Sequence, residues 1–96
     1  MNKIFHLYIQ ILAEYIKTKQ FEKACGLLRR LADDAEDLAF ACQKLSRSHS
    51  YPENIAFSQE AKQFFDIKNM WMKRQLMLSE YSDAYHHSQE AEEHNG

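Results

Sequence analysis

Glycine occurs twice and proline once in 96 residues. A sheet of several strands needs turn residues at short intervals, so this scarcity argues against β structure and for long helices. No apolar run approaches the roughly 20 residues of a membrane-crossing helix, and no membrane span is expected. The opening MNKIFHLYIQILAEYIK is broken by His6, Gln10 and Glu14 and shows no small-residue cleavage site, so it does not read as a signal peptide. There are two cysteines, Cys25 and Cys42. On one helix they lie about 25 Å apart at about 1.5 Å per residue, whereas a disulfide needs Cα atoms within about 7 Å. No disulfide is expected, and a reducing compartment such as the cytoplasm fits best.

Ninety-six residues make one domain at most. Residues 1–91 are expected to form a single helical domain and 92–96 a frayed acidic tail. Net charge is −2. All 12 Lys and Arg fall within residues 1–74, whereas residues 75–96 carry Glu80, Asp83, Glu90, Glu92 and Glu93 and no Lys or Arg. The chain is a mildly basic body with an acidic end.

The apolar residues recur at helical spacing. A first helix is predicted from about Lys3 to Lys19, with Ile4, Tyr8, Ile11 and Tyr15 in one stripe. Phe5, Leu12 and Ile16 widen it to more than one contact surface. A second helix is predicted from about Gln20 to Ser46. Its seam is Phe21, Ala24, Leu28, Leu31, Ala35, Leu38, Cys42 and Leu45, a heptad-like series. Cys25, Ala32 and Ala39 lie beside the seam and are small enough to let another helix approach.

The segment from Arg47 to Pro52 reads as a loop, with Pro52 opening a third helix that runs to about Glu90. There Phe57, Phe64, Trp71, Leu78 and Tyr85 recur every seven residues. Ile67 and Tyr81 fill two of the intervening positions, and Glu60 and Arg74 two others. Met70 and Met77 flank the row. The fold class expected is all-α, a helical hairpin packed against a longer third helix. Helices of these lengths span roughly 25, 40 and 57 Å, so the hairpin cannot cover the whole of the third.

The first hairpin resembles a single tetratricopeptide-type unit through Tyr8, Ile11, Tyr15, Phe21, Ala24, Leu28 and Leu31. It departs from that pattern at Leu12 and Glu36, and no second copy follows about 34 residues on. The resemblance spans roughly a quarter of the chain, and no family is assigned from it.

Residues that can carry chemistry are sparse. His86 and Glu90 share a helix face, as do Asp83 and His87, and His94 follows, but a tight metal site wants three or four convergent ligands. Neither Cys-x-x-Cys nor His-Glu-x-x-His occurs. Arg47 and His49 form the two-residue Arg-x-His pattern of some nucleases, too short a signal to carry a site, whereas Lys44 and Arg47 suit a basic helix C-terminus. Cys25 and Cys42 lie on or beside an apolar seam, where a thiol packs as a small hydrophobe. No catalytic residue, metal or cofactor is expected.

The informative feature is the aromatic and Met-rich distal part of the third helix, since such residues concentrate in interface cores. Trp71, Arg74, Met77, Leu78, Tyr81 and Tyr85 are the expected partner-binding residues. The expectation is a non-enzymatic protein–protein interaction module: an adaptor, chaperone, inhibitor or regulatory subunit. It would act as a homodimer or in a hetero-complex with another protein. The alternative is a small nucleic-acid-binding regulator, for which the Lys and Arg are too interleaved with acids. Binding to duplex DNA at physiological salt should therefore be weak or absent. A sub-micromolar affinity with a steep salt slope would show that folding gathers the basic residues onto one face.

Overall fold

The repeat of three and four residues resolves, in a computed structural model, into α1 (Asn2–Lys17), α2 (Phe21–Ser48) and α3 (Glu53–Asn95). The structure describes the backbone of residues 2–95 and the side chains of Lys3 and residues 6–90. Among these residues there is no strand. The architecture is all-α, a helical hairpin against a longer third helix. The stripe positions Ile4 and Phe5, His94, and the side chains of the expected tail at 92–96 lie outside the described residues.

The ends of the helices show why their boundaries were only roughly legible. The α1 helix stops two residues early, at Lys17. Lys19 adopts the left-handed conformation, φ 63°, and two backbone bonds close the end: Lys19 N–H to Ile16 O at 3.1 Å and Gln20 N–H to Tyr15 O at 2.8 Å. This is the Schellman arrangement, usually built on glycine at the position Lys19 holds. Thr18 Oγ1 also donates to Glu14 O at 2.9 Å.

The α2 helix outlasts its expected end by two residues. There Ser48 Oγ donates to Leu45 O at 3.1 Å, and His49 Nδ1 to the same carbonyl at 2.8 Å. Pro52 precedes the first residue of α3 rather than opening it, following a cis Tyr51–Pro52 peptide. Its carbonyl accepts from Ile55 and Ala56.

The chain gathers into two compact units, one of Met1–Leu28 with Arg74–Gly96 and one of Arg29–Lys73. The second is a helical hairpin made from most of α2 and the first half of α3. Its buried apolar residues are Leu31, Ala32, Ala35, Ala39 and Cys42 from α2, with Ala61 and Trp71 from α3. Phe40 meets Phe65 edge-on, centroids 5.5 Å apart. Ser46 Oγ donates to Asn54 O at 2.7 Å and ties the two helices beside their loop. Lys68 pairs with Glu36. Both are partly exposed, so the pair contributes little by itself.

The first unit joins α1, the opening turns of α2 and the distal part of α3. Phe21, Ala24 and Leu28 are its buried residues among those described. The Phe21 ring receives Tyr81 and Tyr85 edge-on, at 5.5 and 5.4 Å. No described side chain of α1 is fully buried.

Two details of the expected seams are corrected. On α2, Leu38 is 48% exposed and Leu45 is also exposed, while Ala39 is fully buried. A straight helix turns about 20° per heptad away from a 3.5-residue repeat, and by the third heptad this carries the buried line from Leu38 to Ala39. On α3, the row of Phe57, Phe64, Trp71, Leu78 and Tyr85 is at least half-buried throughout, as expected. Its companion row is one residue further on than expected. Asn54, Ala61, Lys68, Gln75 and Ser82 face inward, whereas Glu60, Ile67, Arg74 and Tyr81 face outward. The reason is charge. The other register would place Glu60 and Arg74 at core positions, which is costly without partners. In the observed register Lys68 lays its stem along the hairpin and reaches Glu36.

These corrections separate two leucines that the heptad pattern treats alike. Leu28→Ala should cost about 2–5 kcal/mol, while Leu38→Ala should cost less than about 1 kcal/mol. An added Cβ at Gly26 would meet nothing within 4 Å, so Gly26→Ala should stabilise by about 0.5–1 kcal/mol. Chemical denaturation of the three variants checks both points. Equal losses for the two leucines would contradict the observed register.

Candidate functional site

The first unit contains an apolar groove. Leu12 and Ile16, one turn apart on α1, form one wall. Arg74, Met77 and Leu78 of α3 form the other, and Leu28 of α2 makes the floor. Its volume is about 370 Å³. Leu28 is 2% exposed and fixed, whereas Met77 is 59% exposed and stands at the rim. The walls are aliphatic and thioether surface with one guanidinium, the makeup of a site that takes an apolar side chain or ridge rather than a polar metabolite.

The groove exists because of how α1 is composed. Its apolar residues cover too wide an arc for one contact. Tyr8, Ile9, Ile11, Leu12 and Tyr15 are all half-buried, and Leu7 and Ile16 are exposed. A helix this apolar usually buries a full face; here the face is shared between the inside of the unit and the groove.

The six residues singled out in the sequence divide four ways. Arg74, Met77 and Leu78 are brought together at the groove. Tyr81 is 53% exposed, and its ring rests edge-on against Phe21. Tyr85 is half-buried against Phe21, with the Lys19 ammonium 5.6 Å from its ring centroid, which makes it chiefly a packing residue. Trp71 is 1% exposed and belongs to the core of the second unit; it presents no surface to a partner. Leu12, Ile16 and Leu28 were not singled out. For Leu12 and Ile16 the signal was the excess breadth of the α1 stripe, with no means of telling which part stays uncovered; Leu28 read only as part of the α2 seam.

A second, shallower depression of about 290 Å³ is lined by Lys19, Gln20, Phe21, Glu22, Lys23 and His86. The His86 ring lies edge-on to Phe21 at 6.3 Å and to Tyr85 at 5.6 Å, so it acts there as an aromatic spacer. Among the described residues no group of three or more His, Cys, Asp or Glu is placed to hold a metal ion. His49 packs its ring 4.9 Å from Phe57 while capping α2, an architectural role.

Both cysteines are free, Cys42 buried and Cys25 partly so. Burial, and secondly the negative charge of Asp83, push the Cys25 thiol above its ordinary range. It therefore stays protonated and is a poor nucleophile at neutral pH. Since its pKa in the folded chain exceeds the unfolded one, any stability this adds is complete below the unfolded pKa. It is lost as pH rises through the folded one.

No protein-family model matches the chain, and neither a curated protein nor a solved structure matches it. Among the described residues no helix is long and apolar enough to cross a membrane.

Proposed function

We propose that the chain is a non-enzymatic protein–protein interaction module of adaptor, chaperone, inhibitor or regulatory type, and that its working surface is the groove of the first unit. The observation that carries this reading is Met77, a large apolar side chain more than half exposed at the rim of an apolar depression. Exposed apolar surface gathered around a concavity marks interaction sites, whereas singly scattered apolar residues do not. Methionine suits the role because its unbranched thioether repacks against differently shaped partners at small cost.

Leu78 and Ile16 supply the fixed apolar walls, and Tyr81, one turn beyond Met77, extends the contact along α3. Arg74 contributes orientation: its planar, forked donors favour a carboxylate at one end of the bound segment. The acidic residues beyond it, Glu80 and Asp83, favour a basic surface at the other end and speed encounter more than they strengthen binding. Two free thiols suit a reducing cytoplasmic setting. The nucleic-acid reading has no comparable observation behind it, since Arg29–Lys73 contains seven basic and seven acidic residues.

The test is affinity capture from native cells at moderate salt, with the chain compared against Met77→Asp. The variant should keep its helical circular dichroism, because the substituted side chain is already largely in water. Captured partner should fall at least about tenfold, since burying a carboxylate in an apolar groove costs more than the 1.4 kcal/mol that a tenfold change represents. Undiminished capture by a folded Met77→Asp chain would place the working surface elsewhere.

A further inference from the structure

We propose that α1 is a strap, opening and closing on the first unit as one piece about the turn at residues 18–20, and that the groove is complete only while the strap is closed. The consequence for binding rests on the groove being the working surface, as proposed above; the opening itself does not.

Among the described residues, the buried ones of the first unit all lie on α2: Phe21, Ala24 and Leu28. The α1 helix contributes only half-buried side chains, Tyr8, Ile9, Ile11, Leu12 and Tyr15, and leaves Leu7 and Ile16 exposed. A helix held by partial burial sits at the low end of local stability, where a segment opens without the rest unfolding. The Lys23 ammonium of α2 stands over the α1 Tyr15 ring at 6.0 Å, the outer limit of a cation–π attraction. Between Leu12 and Ile16 on one side and Met77 and Leu78 on the other lies the groove itself, about 370 Å³ of space where a closely packed helix would make contact.

The joint suits such a swing. The bonds that shape the turn close on α1 itself. Thr18 N–H and Oγ1 both donate to Glu14 O. Lys19 N–H donates to Ile16 O, and Gln20 N–H to Tyr15 O. The carbonyl of Gln20 belongs instead to α2, where it accepts from Ala24 N–H. The divide between the two sets falls within Gln20, so rotation about its backbone breaks neither. The part of α3 in the first unit also has no fully buried side chain among those described, but it has no such joint: α3 runs unbroken from Glu53 to Asn95.

Two of the residues that line the groove, Leu12 and Ile16, belong to α1. In the closed state they stand as the wall opposite Leu78; when α1 leaves, that wall goes with it. A segment seated in the groove therefore binds only the closed form and holds the strap shut, and its apparent affinity scales with the closed fraction. Whatever loosens α1 weakens binding without touching the α3 wall.

The test is residue-resolved hydrogen exchange of the full chain without a partner. A detached helix of 16 residues is marginal in water, so opened α1 exchanges its amides. The amides of residues 11–17 should share one protection factor, at least about tenfold below that of residues 31–39 in α2, and respond weakly to low urea because the opening exposes little surface. Ile11→Ala, which trims a half-buried contact of α1, should lower the shared factor about fivefold further. Protection that climbs steadily from the start of α1 toward Lys17 is end fraying, and protection equal to that of α2 means no separate opening; either overturns the inference. If Met77→Asp abolishes capture while no separate opening is seen, the groove reading stands and the strap falls. Shared early exchange of α1, with capture indifferent to Met77→Asp, confirms the opening and overturns its tie to binding.

Discussion

The structure depends on a mismatch in side-chain size between two helices. Half of the buried residues of α2 are alanine: Ala24, Ala32, Ala35 and Ala39, beside Phe21, Leu28, Leu31 and Cys42. The inward face of α3 is built from Phe57, Phe64, Trp71, Leu78 and Tyr85, one large residue every two turns. Small against large is how two helices interdigitate without voids, and in a chain of this length few other contacts are present to make up for a poor fit. Of the large side chains that are 2% exposed or less, Trp71 comes from α3 and Phe21 and Leu28 from α2.

That constraint also sets the surface. Once the large row of α3 points inward, the second row must lie on one side of it or the other. The side holding Glu60 and Arg74 is rejected because their charges would have to be buried. Ile67 and Tyr81, which share that side, are carried outward with them. The exposure of Ile67 and Tyr81 thus follows from keeping two charges in water, while Met70, Met72, Leu76 and Met77 add apolar surface on other rows. Beside it α1 is too broadly apolar to be satisfied by α2 and α3 alone. The groove of Leu12, Ile16, Leu28, Arg74, Met77 and Leu78 lies where these two surpluses meet.

How much of this was legible follows from the range over which each signal acts. Three helices and the seven-residue row of α3 were readable because periodicity is summed over many residues. The end of α1 was not sharply readable, because a left-handed turn is usually announced by glycine and here falls on Lys19. The shift from Leu38 to Ala39 was hidden because drift away from a 3.5-residue repeat accumulates only over several turns. Of the expected contact residues, Arg74, Met77 and Leu78 line the groove, whereas Trp71 is buried in the second unit: size and aromaticity mark a core residue and an interface residue equally well, and only the position of α2 decides between them.

The central claim is that the large row of α3 faces inward and its Met77–Tyr81 flank faces out. Trp71 is the only tryptophan in the chain and sits in that inward row, which makes its fluorescence the most direct test. With the row inward, emission should be blue-shifted, and acrylamide should quench it weakly in the native chain and strongly only after denaturation. A red-shifted emission, quenched as readily in the folded chain as in the unfolded one, would show that the row faces water and would contradict the packing on which the groove depends.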